Sequence, residues 1–207
     1  MIPRLCYITD GERGTGGRPL RGVIGDAVRG GVELVVLREP QLEGADWGRL
    51  LEQIAPLRQR GCRLVASRRL DVARAWGLDG VHLAKDAATV REARKWLGEE
   101  ALIGYSAHSG AEARHAAADG ASYVTLSPIY ETGSKPGVAA RGCAWLAREI
   151  REVGVPVLAL GGLTAMRTRD VLAAGAWGVA AVSAIGGAAD VEAAAREFGN
   201  ALKENAR

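Results

Sequence analysis

Residues able to hold an anion recur in this chain at one kind of place, just beyond a short apolar run. Thr9 and Asp10 follow LCYI, Arg38 and Glu39 follow VELVVL, Ser67 follows RLVA, and Ser106 and His108 stand past LIG. His82 lies within GVHL with Lys85 beyond it, and the loop after SYVTL carries Ser127, Glu131, Thr132, Ser134 and Lys135. Gly161 and Gly162 end one further run, and Val182 and Ser183 end another. Guanidinium, ammonium and hydroxyl groups bind anions, and so do the backbone N–H groups left bare at glycine turns and helix starts. General bases are scarce in the set. The chemistry implied is the binding of a phosphate ester.

The elements that would hold these residues are best seen in Val155–Ile185. Two short apolar runs flank a helical segment there, which makes a parallel βαβ unit with its glycines where the strands stop. The same alternation runs through the chain. Strands are expected at Leu5–Asp10, Val32–Leu37, Arg63–Ala66, Gly80–Leu83, Leu102–Gly104 and Ser122–Leu126. Helices are expected at about Pro19–Arg29, Asp46–Arg60, Leu70–Trp76, Ala88–Leu97 and Ala111–Ala118, with another ending near Val153 and a last one over Val191–Asn205. The glycines at 11, 14, 16 and 17 lack a following GK[ST] and read as a flexible connection. Every second strand is entered by a glycine followed four residues later by valine: Gly31/Val35, Gly77/Val81, Gly120/Val124 and Gly175/Val179. Glycine suits a helix C-cap, and short continuous apolar runs suit strands buried on both faces. These units predict one (β/α)8 TIM barrel over residues 1–207, with a phosphate site at the C-terminal ends of strands 6–8, where such barrels place their ligands. A doubly wound open sheet is the alternative, and eight parallel strands fit a closed barrel better.

Composition narrows the partners. Hydrophobic residues at 48% and charged residues at 25% are ordinary for a globular domain. A net charge of +3, with no basic run interleaved with aromatics, argues against nucleic acid. No apolar run reaches the length of a membrane span, and the N-terminus lacks a signal-peptide layout, so a cytoplasmic protein is expected. Cys6, Cys62 and Cys143 show no CxxC or CxxH spacing and read as reduced thiols. A homo-oligomer is left open.

YITD, LREP, DGVHLAKD, IGYSAHS, SYVTLSPIYETGSKPG, LALGGLT and GVAAVSAI, in that order, resemble the thiamine phosphate synthase/TenI family almost end to end. The resemblance implies the (β/α)8 fold and one of two activities. Synthases join a pyrimidine pyrophosphate to a thiazole phosphate with Mg2+. The TenI-like branch isomerises a thiazole carboxylate phosphate to its aromatic tautomer without metal. Synthases typically read QLREK on strand 2, where Gln and Lys help hold the pyrimidine and pyrophosphate, but this chain has Val36 and Pro40 there. The family's Asn-Asp pair after strand 3, whose Asp binds Mg2+, is matched by Ser67 and Arg68. Asp86 matches a second metal carboxylate. Arg68 reads either as a solvated charge or as a group that fills and blocks the vacated pyrophosphate space.

The thiazole-phosphate side is retained in Ser106, Thr132, Ser134, Lys135, Gly161, Gly162, Val182 and Ser183. That pattern favours a thiazole tautomerase, an isomerase without cofactor or metal, whose partner is a small thiazole phosphate. The first alternative is a divergent thiamine phosphate synthase, with Mg2+ and Asp86 as metal ligand. A non-catalytic thiazole phosphate-binding or regulatory protein is the second. Some tautomerases of the branch have a histidine where this chain has Pro128, so the proton would be moved by His82, His108 or Glu131. Plainer roles compete: His82 as a hydrogen-bonded core histidine, and Arg38 with Glu39 as an internal ion pair bracing the mouth rather than Arg38 contacting substrate.

Overall fold

The computed structural model describes residues 1–11, 14–133 and 137–204. Strands β1 (Leu5–Ile8), β2 (Leu34–Leu37), β3 (Arg63–Ser67), β4 (Gly80–Leu83), β5 (Leu102–Ala107), β6 (Tyr123–Leu126), β7 (Val157–Leu160) and β8 (Gly178–Ala181) close into a parallel barrel in sequence order. β1 pairs with β8 through Cys6 and Ala180, which shuts the ring. The helices between them are α1 (Leu20–Arg29), α2 (Gly44–Ile54), α3 (Leu70–Ala75), α4 (Val90–Leu97), α5 (Gly110–Ala118), α6 (Gly142–Glu149) and α7 (Ala165–Ala173). A short α8 (Ser183–Gly186) and a long α9 (Val191–Glu204) follow β8. This is the (β/α)8 barrel that the sequence predicts.

Each strand is apolar throughout because both of its faces are covered. Alternate side chains point inward and outward. Cys6, Ile8, Leu34, Val36, Val65, Tyr123, Leu158 and Ala180 fill the barrel interior. Their outward neighbours, such as Tyr7, Val35, Leu64, Val81 and Val179, pack with the helices in a separate cluster. Helix α1 contributes Val23, Ile24, Ala27 and Val28 to it, one face at helical spacing. Burying an aliphatic side chain of this size is worth about 1.5–3 kcal/mol, so this outer layer holds the helices on the barrel. The strand-entry glycines at 31, 77, 120 and 175 all have positive φ, the left-handed turn that releases the chain from each preceding helix.

Three boundaries differ from expectation. Pro56 ends α2 early, because a proline has no N–H for the helical ladder, and residues Ala55–Arg60 continue as a 3-10 turn. Strand β5 runs on to Ala107, since Tyr105, Ser106 and Ala107 pair with Val124, Thr125 and Leu126. The stretch after β8 is a short helix rather than a turn.

Candidate active site

Continuing the inward alternation to the C-terminal ends of β2, β3 and β5 places Arg38, Ser67 and Ser106 over the mouth. A cavity of about 920 Å3 opens there. Arg38, His82, Ser106, His108, Glu131, Thr132, Gly161, Gly162, Val182 and Ser183 all line it. Ser134 and Lys135 lie outside the described residues. Asp86 does not line the cavity; it sits at the rim, bound to Arg68.

The arc formed by β5–β8 is built from backbone and hydroxyls. Gly161 (φ 100°) and Gly162 (φ 62°) take left-handed conformations that free a side-chain-sized space. That space is filled by the loop after β6. A Cβ on Gly161 would stand 2.9 Å from Cα of Pro128, and one on Gly162 would collide with the Glu131 carbonyl oxygen. Two backbone bonds seal the contact, from Ile129 N–H to the Leu160 carbonyl and from Tyr130 N–H to the Gly161 carbonyl, each 3.0 Å. Beside them α8 begins at Ser183, and its far end is held by Arg18, whose Nη2 donates to the carbonyls of Gly186 and Ala188 at 2.8 Å. A cation on the last carbonyls complements that end of the helix and leaves its N–H end toward the cavity wall at Val182, Ser183 and Ala184. Arg18 was not legible as part of this assembly, since it precedes the helix it caps by more than 150 residues of chain.

His108 ties β5 to β6: its Nδ1 lies 3.1 Å from the Ser127 carbonyl oxygen and its N–H donates to Glu112. His82 is on the cavity floor. It is 6% exposed, with Nδ1 3.1 Å from the Tyr123 hydroxyl and Nε2 3.5 Å from Oγ1 of Thr125. Burial lowers its pKa from 6.5 to about 4, so the ring is neutral at physiological pH. Gly104 on the next strand makes room for the pair, because a Cβ there would run into Nδ1 and the Tyr123 ring.

The arc formed by β2–β4 is cationic. Arg38 and Glu39 do not form the internal ion pair that competed with substrate contact as a reading of Arg38. Arg38 pairs instead with Asp10 at 3.6 Å. Glu39 is 2% exposed and accepts hydrogen bonds from the Thr9 hydroxyl, Gly11 N–H and Gln41. Burial pushes its carboxyl pKa up, against those hydrogen bonds, which favour the ionised form. Thr9 also receives the Arg38 N–H, so Glu39 and Thr9 together fix where the β2 loop leaves the barrel. Arg68 and Arg69 line the same side, and so does Trp47 from α2.

The Mg2+ that the family resemblance implies finds a poor donor set here. A magnesium ion wants carboxylate oxygens in near-octahedral geometry. Asp86 is engaged by Arg68 at 2.6 Å, and that guanidinium holds its carboxyl below the usual carboxylate range. Glu39 already accepts three donors. Among the described residues no three His, Cys, Asp or Glu side chains come together as a metal site. These residues do not fit a Mg2+ centre, and no step is routed through one.

A closed parallel barrel whose C-terminal mouth carries glycine turns on one side and arginines on the other has the layout in which barrel enzymes seat anionic small molecules. Comparison with known proteins specifies which. The family model described as thiamine monophosphate synthase matches residues 5–185. A thiamine-phosphate synthase of Methanoculleus marisnigri is 44% identical over 200 residues, covering 94% of this chain and 92% of that protein. One of Chloroflexus aurantiacus is 40% identical, covering 94% and 90%. The solved structure of thiamine phosphate pyrophosphorylase from Pyrococcus furiosus superimposes with a TM-score of 0.88 at 27% identity, covering 99% of this chain and 97% of that one. The chain belongs to the thiamine monophosphate synthase family.

The comparisons overturn the tautomerase expectation, and the isomerase class with it, because the relatives are named as synthases, which are transferases. The error has a physical origin. Loss of the strand 2 Gln and Lys and of the Asn-Asp pair was read as loss of a half-site, whereas that wall carries the guanidiniums of Arg38, Arg68 and Arg69. The demand for a proton shuttle at His82, His108 or Glu131 came from tautomerisation and goes with it. No helix among the described residues is long and apolar enough to cross a membrane.

Proposed function

We propose that this chain is a thiamine-phosphate synthase, a transferase that joins a pyrimidine pyrophosphate to a thiazole phosphate and releases pyrophosphate. The observation that carries the reading is the 44% identity to a protein of that name along nearly the whole of both chains. The cavity supports it. Strands 3 and 7 are diametrically opposed in an eight-stranded ring, so the arginine wall and the glycine wall face each other across it. Two phosphorylated substrates would each find an anion seat, with their reacting ends between.

On this reading Gly161, Gly162, Val182 and Ser183 seat the thiazole phosphate, and Ser106, Thr132, Ser134 and Lys135 contribute from the loops after β5 and β6. Arg38 serves the pyrophosphate side. The bond from carbon to pyrophosphate breaks with its electron pair leaving on oxygen, and the lone pair of the thiazole nitrogen forms the new bond to carbon. Atoms and charge balance without a proton transfer. The step therefore calls on none of Glu39, His82, His108 and Glu131 as a base. Neutral His82 then acts as a polar floor under the reacting groups, and His108 positions the β5 and β6 loops. A cytoplasmic location belongs to the same reading.

The test is an endpoint assay with both substrates, scored for thiamine phosphate, run with and without Mg2+. Product formation is expected. Saturable binding of thiazole phosphate with no product under either condition would overturn the synthase reading.

A further inference from the structure

Arg38, Arg68 and Arg69 line the cavity wall above β2 and β3. Their ion-pair partners are Asp10, Asp86 and Asp71, and none of these three carboxylates lines the cavity. The arginines are 40–50% exposed, so the pairs add little to stability, and their effect is on position. Arg68 spends one Nη on Asp86 and holds its loop through its own N–H, which donates to the His82 carbonyl at 2.9 Å. A guanidinium has five N–H donors in a planar fork that matches two phosphate oxygens at once. Trp47 is 2% exposed and gives the same wall an apolar backing.

We infer that this wall is a metal-independent seat for pyrophosphate, with the Arg68 guanidinium standing where a divalent cation would otherwise neutralise the anion. Arg38 completes the donor set with the remaining Nη1 of Arg69, whose Nε and Nη2 are spent on Asp71. The inference rests on the synthase reading for the identity of the anion. Its physical basis is the disagreement between the donors present and a Mg2+ centre: Asp86, the carboxylate that would face the metal, instead orients Arg68. A guanidinium stays charged throughout, and it stabilises charge as it develops on the leaving oxygen without any ion having to bind first. Arg68 therefore serves the pyrophosphate site rather than blocking it.

The experiment is calorimetric titration of the whole protein with inorganic pyrophosphate after dialysis against EDTA, repeated with Mg2+ added. Saturable binding without Mg2+ is expected. Arg68→Ala should weaken it tenfold or more. Arg68→Asp, which sets two carboxylates side by side, should bind pyrophosphate only when Mg2+ is supplied. Circular dichroism on each variant checks that it is folded. Pyrophosphate binding by the wild type only with Mg2+, or unchanged affinity in Arg68→Ala, would overturn the inference. Thiamine phosphate formation is measured separately on the same samples. Metal-free pyrophosphate binding without product would keep the seat and remove the synthase reading, while product with a Mg2+-dependent, Arg68-independent affinity would do the reverse.

Discussion

At the scale of single residues, the buried pair of His82 and Tyr123 ties stability to pH. The folded chain keeps His82 neutral down to about pH 4, while the unfolded chain takes up a proton as the pH falls below 6.5. Protons are bound preferentially by the unfolded state between those values. The contribution is therefore fully present above pH 6.5 and is lost as pH drops toward 4. From pH 7 to pH 5 this amounts to about 2 kcal/mol. Urea unfolding at the two pH values should show that His82→Gln loses less stability on acidification than the wild type by about that amount. Equal losses would mean that other groups carry the acid sensitivity. The same burial that shifts the pKa makes His82 a fixed, uncharged donor or acceptor at the cavity floor, next to the hydroxyl of Tyr123.

Among the elements, the turn after β7 matters because two segments compete for one space. Gly162 has a φ of 62° and lies so close to the loop after β6 that Cβ would stand 2.8 Å from that of Tyr130. Arg167 then locks the turn from α7, donating to the Gly162 carbonyl at 2.6 Å while its guanidinium lies 4.4 Å over the Tyr130 ring. Gly162→Ala should lower stability by about 1–3 kcal/mol through backbone strain and overpacking. It should also weaken thiazole phosphate binding tenfold or more, because the β6 loop must move away from the seat. Thermal unfolding and a binding titration on the same sample check both effects. A loss of stability with full affinity would detach the turn from the phosphate site.

For the whole molecule, closure of the ring separates a functional end from a structural one. At the end opposite the cavity, Arg4 joins the start of the chain to its finish. Its Nε donates to the Trp177 carbonyl at 2.9 Å and its Nη1 to the Leu202 carbonyl at 3.2 Å, and the guanidinium lies 5.8 Å over the Trp177 ring. Arg4→Ala should cost about 1–2 kcal/mol of stability from the lost hydrogen bonds. Substrate affinity should stay as it is, since barrels of this kind separate conservation of stability at one end from chemistry at the other. A melting curve and a steady-state KM decide this. A raised KM with an unchanged melting temperature would contradict the division.

The fold was legible in the residues because its signal is local. Short apolar runs, helical faces such as Val23, Ile24, Ala27 and Val28, and a glycine before every second strand repeat along the chain, and each depends on near neighbours alone. The same local signal placed His82, Ser106, Gly161 and Ser183 at the mouth, since residues at or just past the C-terminal ends of the strands share one end of a barrel. What the residues could not declare was how distant side chains pair. Arg38 chose Asp10 over its neighbour Glu39, Arg18 reached across the β1–β8 seam to α8, and Trp47, buried in the core, also lines the cavity. The largest misreading, a tautomerase, came from judging Arg68 and Pro40 by residue type alone. Charge acts through space. Only the folded chain sets Arg38 beside Arg68 and Arg69, because the pairing of β2 with β3 brings those strand ends together and no spacing in the sequence does.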